Sequence, residues 1–119
     1  MVTHVLDSWA LMAFFRDESA AEQTERLLEQ AAVGRHKLLL SVINWGEIYY
    51  SIYRAEGEAI AEQKAREIAA LPIEIVPVEA DLVLARQAAI YKATKKMSYA
   101  DCFAAALAKI RKAELVTGD

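Results

Sequence analysis

Residues 37–52 read KLLLSVINWGEIYYSI, and the order of two patterns inside that stretch decides the architecture. Leu38, Leu39 and Leu40 form an unbroken apolar run. A strand with one wet face would alternate, so the run reads as a strand covered on both sides. Directly behind it, Trp45, Ile48, Tyr49 and Ile52 recur at i, i+3, i+4 and i+7, which is one face of an amphipathic helix. A doubly covered strand running into a helix is the unit of a parallel α/β sheet.

The flanking sequence extends the same alternation. Residues 2–6 mix β-branched and apolar side chains and stop at Asp7, a first strand. A helix is expected from Ser8, turning Trp9, Met12, Ala13 and Phe15 inward. Residues 17–32 read as a second helix with Asp17 or Ser19 as N-cap and Gly34 as its stop. The helix that carries Trp45 should end near Gly57, and another should follow, closed by Pro72. IEIVPV at 73–78 reads as a third strand limited by Pro77. A long helix is expected over 79–96, with acids in its first turn and Lys92, Lys95 and Lys96 near its end, complementing the macrodipole. A last helix over 98–112 and a fourth strand over 115–117 complete the chain. The expectation is one α/β domain over 1–119, a parallel sheet of four or five strands sandwiched by helices.

Composition narrows the classes of function. The chain has 119 residues, 55% of them hydrophobic, enough for a single buried core. Its longest apolar run, CFAAALA at 102–108, is far short of the ~20 residues that span a bilayer. MVTHVLDSW at the start lacks a basic segment followed by a long apolar one, so a soluble cytoplasmic protein, away from membranes, is expected. The lone Cys102 excludes an internal disulfide and a cysteine metal cluster within one chain, and reads as a small buried side chain on a helix. The formal net charge of -3 gives no general basic coat for a polyanion. Such a partner would need a local basic patch or a metal ion.

Four carboxylates stand out: Asp7, Glu47, Asp101 and Asp119. Asp7 and Asp119 each follow an expected strand, and parallel α/β sheets bind ligands beyond the carboxyl ends of their strands. Each acid also has a local reading. Asp7 can cap the helix behind it, and SYAD at 98–101 matches a capping box with Ser98 as cap and Asp101 at N3. Glu47 lies opposite the apolar stripe, on a face shared with Ile43, Tyr50, Ser51 and Arg54, which suits solvent or a pocket rim. Asp119 can be a turn residue after Gly118. Together they form an oxygen-rich set of the kind that holds Mg²⁺ or Mn²⁺. Without a metal, clustered acids would resist ionising together.

In order and spacing, VLDSWALMAFF, SVINWGEIYYSI, KKMSYADCFAAALA and ELVTGD resemble the PIN-domain family, and within it the VapC-type toxins of toxin–antitoxin pairs. The resemblance implies an endoribonuclease dependent on Mg²⁺ or Mn²⁺. It implies an acidic pocket of Asp7, Glu47, Asp101 and Asp119, with Ser8, Ser98 and Thr117 as supporting hydroxyls. Asp7 and Asp101 would be the metal ligands, directly or through water, and Glu47 and Asp119 would complete the shell or position the attacking water. It further implies an RNA substrate, a homodimer, and a VapB-type antitoxin whose tail covers the groove. Related chains continue past the final acid, so the domain is expected to be truncated after 119.

In-line attack by an activated water would leave a 5′-phosphate and a 3′-hydroxyl. Arg54, Lys95 and Lys96, and beyond them Arg16, Arg111 and Lys112, are candidate phosphate contacts, and Tyr50 and Tyr99 candidate stacking platforms for unpaired bases. His4 and His36 lack metal-binding spacing and read as structural. Two alternatives share parts of the pattern. A receiver-like phosphoacceptor domain would want an acidic pair after the first strand and a lysine after a late one, and neither is present. A catalytically silent PIN-fold binding module would keep the fold and use its groove only to hold a partner.

Overall fold

A computed structural model describes residues 1–18 and 21–117. Its element order is β1 (Val2–Leu6), α1 (Ser8–Phe15), α2 (Ala21–Ala32), β2 (His36–Ser41), α3 (Val42–Glu56), α4 (Glu58–Ala69), β3 (Glu74–Val76), α5 (Val83–Thr94), α6 (Tyr99–Ile110) and β4 (Glu114–Val116). The strands form one parallel sheet in the order β3-β2-β1-β4, four strands among the described residues. The fold is α/β, as expected from residues 37–52.

The apolar run of β2 is unbroken because its two faces meet different helix layers. Leu38 and Leu40 pack with Leu6 of β1 against α1, α2, α3 and α4. Leu39, between them, turns the other way and packs with Val5 against α5 and α6. Each face thus takes every second residue, and both are dry. Cys102 is fully buried in the second layer, as expected of a small apolar side chain.

Several boundaries differ from the expected ones. The helix placed over 79–96 begins only at Val83: Pro77 ends β3, residues 79–82 turn with Leu82 in the left-handed region (φ 69), and Asp81 Oδ1 accepts from the Val83 N–H at 3.1 Å. Its first turn therefore holds no acid, and Lys92 alone complements the macrodipole. Asp17 does not cap α2. It sits at φ 52, its N–H bonded to the Phe14 carbonyl, so it closes α1. Ser19, the other expected cap, lies outside the described residues. Gly57 joins α3 to α4 without a loop, at φ 91 and ψ 175, a conformation essentially limited to glycine.

Two features position the site. β1 lies between β2 and β4, so the chain leaves β1 on one side and returns on the other. That reversal opens a crevice beyond the carboxyl ends of β1 and β4. α3 and α6 both start at this end, one directly behind β2 and the other leading back to β4.

Candidate functional site

Asp7 follows the last residue of β1 and is only 5% exposed. Its backbone N–H donates to the Val116 carbonyl at 3.0 Å, holding it beside the end of β4. Its Oδ1 accepts from the Ala10 N–H at 2.9 Å, so it is the N-cap of α1 as its position in the sequence suggested. Asp101 enters from α6. Ser98 caps that helix, its Oγ accepting the Asp101 N–H at 3.1 Å. Ala104 and Ala108, both buried, let α6 lie close on the sheet.

The crevice is a cavity of about 240 Å³ lined by Asp7, Trp9, Met97, Asp101, Ala104, Leu115 and Thr117. Asp7, Asp101 and Thr117 are thus brought together. Trp9, expected in the core, is 45% exposed and forms part of the cavity wall. From Ala10 to Ala13 every side chain of α1 is buried, so an all-apolar short helix offered no periodicity from which to tell the exposed position.

Glu47 and Ser98 line a neighbouring open groove of about 510 Å³, with Val42, Ile43, Gly46, Tyr50, Tyr99 and Ala100. Glu47 is half-buried, and its Oε1 is enclosed with no hydrogen-bond partner among the described residues. It is therefore a rim residue and not a solvated one. The first turn of α6, with Ala100 on the groove and Asp101 on the cavity, stands between the two. Asp119 and Gly118 lie outside the described residues. Ser8 lines neither space; it is fully buried beneath them.

The sequence reading passed over Asn44. Fully buried, it donates from Nδ2 to Ser8 Oγ at 3.1 Å and to the Ala100 carbonyl at 3.1 Å, and its Oδ1 accepts from Ser41 Oγ at 2.7 Å. A signal was present: Ser-x-x-Asn at a strand-to-helix junction, with a polar amide inside an apolar stretch.

A family model described as PIN domain matches residues 4–119, nearly the whole chain. The chain belongs to the PIN domain family. No curated protein matches it by sequence. Among solved structures, this PIN domain is similar to VapC20 of Mycobacterium tuberculosis, a toxin that cleaves the sarcin–ricin loop, with a TM-score of 0.74 and 16% identity over 98% of this chain and 89% of that one. It is also similar to VapBC2 of Rickettsia felis bound to a promoter DNA fragment (TM-score 0.71, 16% identity, 99% and 89% covered). A toxin–antitoxin complex from Klebsiella pneumoniae gives a TM-score of 0.70 with 18% identity over 98% and 86% of the two chains.

The donor set of this PIN domain fits a hard cation. Two carboxylates and a threonine hydroxyl line one cavity, and Mg²⁺ is commonly held by one or two carboxylates, with water and substrate phosphate completing its shell. No group of three or more Asp, Glu, His or Cys able to hold a metal exists among the described residues. Among the described residues, Asp7 and Asp101 are the two acids that line this cavity.

The basic candidates divide by position. Lys95 and Lys96 are exposed just ahead of Ser98, at the site end. Arg54 lies two turns beyond Glu47 on α3, its guanidinium 5.3 Å from the centre of the Tyr50 ring. Arg111 and Lys112 follow α6 and precede β4, at the opposite end of the sheet from the acids. The histidines are also away from the acids: His4 Nε2 and His36 Nδ1 are 3.3 Å apart, and His4 Nδ1 lies 3.3 Å from Glu114 Oε2. Burial holds His4 below its ordinary imidazole pKa, with His36 acting in the same direction and Glu114 opposing.

Proposed function

We propose that the protein is a VapC-type endoribonuclease toxin dependent on Mg²⁺ or Mn²⁺. The observation that carries the reading is the convergence of Asp7 and Asp101 on one cavity beyond β1 and β4 in a chain of the PIN family. A cation bound there would supply water activation and charge neutralisation at an RNA phosphodiester. The chain's own residues supply the rest. Asp7 and Asp101, at the starts of α1 and α6, would hold the cation. Thr117 offers a hydroxyl to the cavity wall, and Glu47, from the adjoining groove, orients water or completes the shell with Asp119. In-line cleavage leaves a 5′-phosphate and a 3′-hydroxyl. Lys95, Lys96 and Arg54 contact phosphates, and Tyr50 and Tyr99, each about half exposed on the groove, present ring faces to unpaired bases.

The partners of this reading are RNA, a second copy of the chain, and a VapB-type antitoxin covering the groove. Two of the similar solved structures described above are toxin–antitoxin assemblies. The compartment is the cytoplasm, and no helix among the described residues is long and apolar enough to cross a membrane. Co-expression with the product of the adjacent open reading frame tests the antitoxin: a stable complex with suppressed cleavage is expected.

The silent binding-module reading draws on one observation, that Glu47 lines the groove and not the cavity that holds Asp7 and Asp101. One experiment separates the two. Purified protein is incubated with structured RNA, with Mg²⁺, with Mn²⁺ and with chelator, beside Asp101→Asn. Cleavage that needs the metal and is lost in the variant supports the nuclease. Metal-independent cleavage, or undiminished cleavage by Asp101→Asn, overturns it, and absence of cleavage under every condition supports the binding module.

A further inference from the structure

We infer that Asn44 is a positioning residue that sets the spacing of the two helix starts carrying Asp7 and Asp101. The inference deepens the proposed function and rests on its reading of Asp7 and Asp101 as one site.

The two acids come from elements far apart in sequence, Asp7 at the start of α1 and Asp101 in the first turn of α6. Asn44 spans that gap from below. Its side-chain amide has two N–H groups: one donates to Ser8 Oγ, the residue after Asp7, and the other to the carbonyl of Ala100, the residue before Asp101. Its remaining polar atom, Oδ1, is taken by Ser41 Oγ, which also accepts the Asn44 backbone N–H at 3.1 Å. Ser8 Oγ in turn donates to the Asn44 carbonyl at 3.3 Å. The amide is therefore fully used and cannot rotate without leaving buried groups unsatisfied, which costs far more than one ordinary hydrogen bond contributes.

The chemistry required is specific. Two donors and one acceptor in a rigid fork at this reach describe a primary amide. Aspartate at this position would offer no donor, threonine one and leucine none. Three helix starts, of α1, α3 and α6, meet at this amide, and Glu47 is one turn further along the helix that carries it. Ser8, implied by the family resemblance as a supporting hydroxyl, acts on this reading through Asn44, because both its hydrogen-bonding directions are committed there.

The test uses the full chain with Asn44→Thr, which keeps a single donor, and with Ser41→Ala, which keeps both donors but frees the amide to rotate. Three quantities are read: the backbone amide resonances of Ala10 and Asp101 in metal-free protein, Mn²⁺ affinity by calorimetry, and kcat against KM on RNA. Outer residues that orient metal ligands are worth roughly 10–100-fold in metal affinity or activity. Asn44→Thr is expected to weaken Mn²⁺ by about that factor, to lower kcat by a similar factor with KM little changed, and to shift the Ala10 and Asp101 resonances together. Ser41→Ala should fall between it and the native protein.

A folded Asn44→Thr with native Mn²⁺ affinity and native Ala10 and Asp101 resonances overturns the inference. So does a loss of activity that vanishes at lower temperature, where a merely destabilised variant would be fully folded. Should Asn44→Thr fail to fold, native values in Ser41→Ala overturn it equally. Should the native protein bind no Mn²⁺, the proposed function falls, and the two resonances decide the role of Asn44 on their own.

Discussion

The backbone N–H of Asp7 donates to the carbonyl of Val116 at 3.0 Å, tying the first acid of the site to the final residue of the last strand. Positions 109 apart in sequence are thereby held across one hydrogen bond, and the cavity between them exists only once β4 has paired with β1. Formation of the site is thus coupled to a long-range pairing.

Asp7 caps α1 and, on the proposed reading, also holds the cation, and substitution can separate the two. Asparagine caps a helix about as well as aspartate, so Asp7→Asn should leave urea unfolding within about 0.5 kcal/mol of the native protein while weakening Mn²⁺ binding and abolishing cleavage. Asp7→Ala loses the cap too and should cost a further ~1 kcal/mol. Equal loss of stability in both variants would remove the cap from the account.

Asp101 is bound through its backbone, the N–H resting on Ser98 Oγ. Asp101→Asn keeps that bond, so its thermal midpoint should match the native value. On the proposed reading of Asp101 as a cation ligand, calorimetry should show Mn²⁺ binding weakened about tenfold or more, roughly 1.4 kcal/mol.

Leu39 is fully buried between the sheet and α6. Leu39→Ala should destabilise the domain by about 2–5 kcal/mol, the range for emptying such a site. Denaturant unfolding checks this. A cost below 1 kcal/mol would mean that the α5–α6 layer collapses into the gap.

His4 supplies a pH dependence with a defined sign. Its folded pKa lies below the ordinary 6.5, chiefly through burial. Between the two values the unfolded chain binds more protons, so stability rises with pH in that window. The contribution is complete above 6.5 and is lost as pH falls toward the folded pKa. Urea unfolding between pH 7.5 and 5 should show this decline, and His4→Gln should flatten it. An unchanged slope would assign the decline to other groups.

Legibility followed the range of the interactions. The leucines of β2 and the stripe of α3 announced themselves because burial on two faces and burial on one leave different periods in a short window. The caps of α1 and α6 were legible at Asp7 and Ser98 for the same reason: a cap acts within three residues. Trp9 was misplaced because its exposure depends on where α6 starts and β4 stops, not on its own helix. The start of α5 was set four residues early because Pro77, and the left-handed turn at Leu82, carry the chain away from β3 before a helix can begin.

Glu47 and Asn44 mark the limit. Both lie on α3, three residues apart, and helical spacing alone would send one to solvent and leave the other unremarked. What distinguishes them is the start of α6, more than 50 positions on, which lines the same groove as Glu47 and accepts a hydrogen bond from the Asn44 amide.

The sequence by itself determined the α/β class, the parallel sheet, the two covering layers and the place of Asp7 at the end of the first strand, because apolar periodicity and capping are local. Only the tertiary structure decided that Asp7 and Asp101 share a cavity, that Glu47 opens onto the next groove, and that an asparagine amide hydrogen-bonds to the starts of both α1 and α6. Those relations depend on strand order and on how closely α6 lies on the sheet, and no short window of residues encodes either.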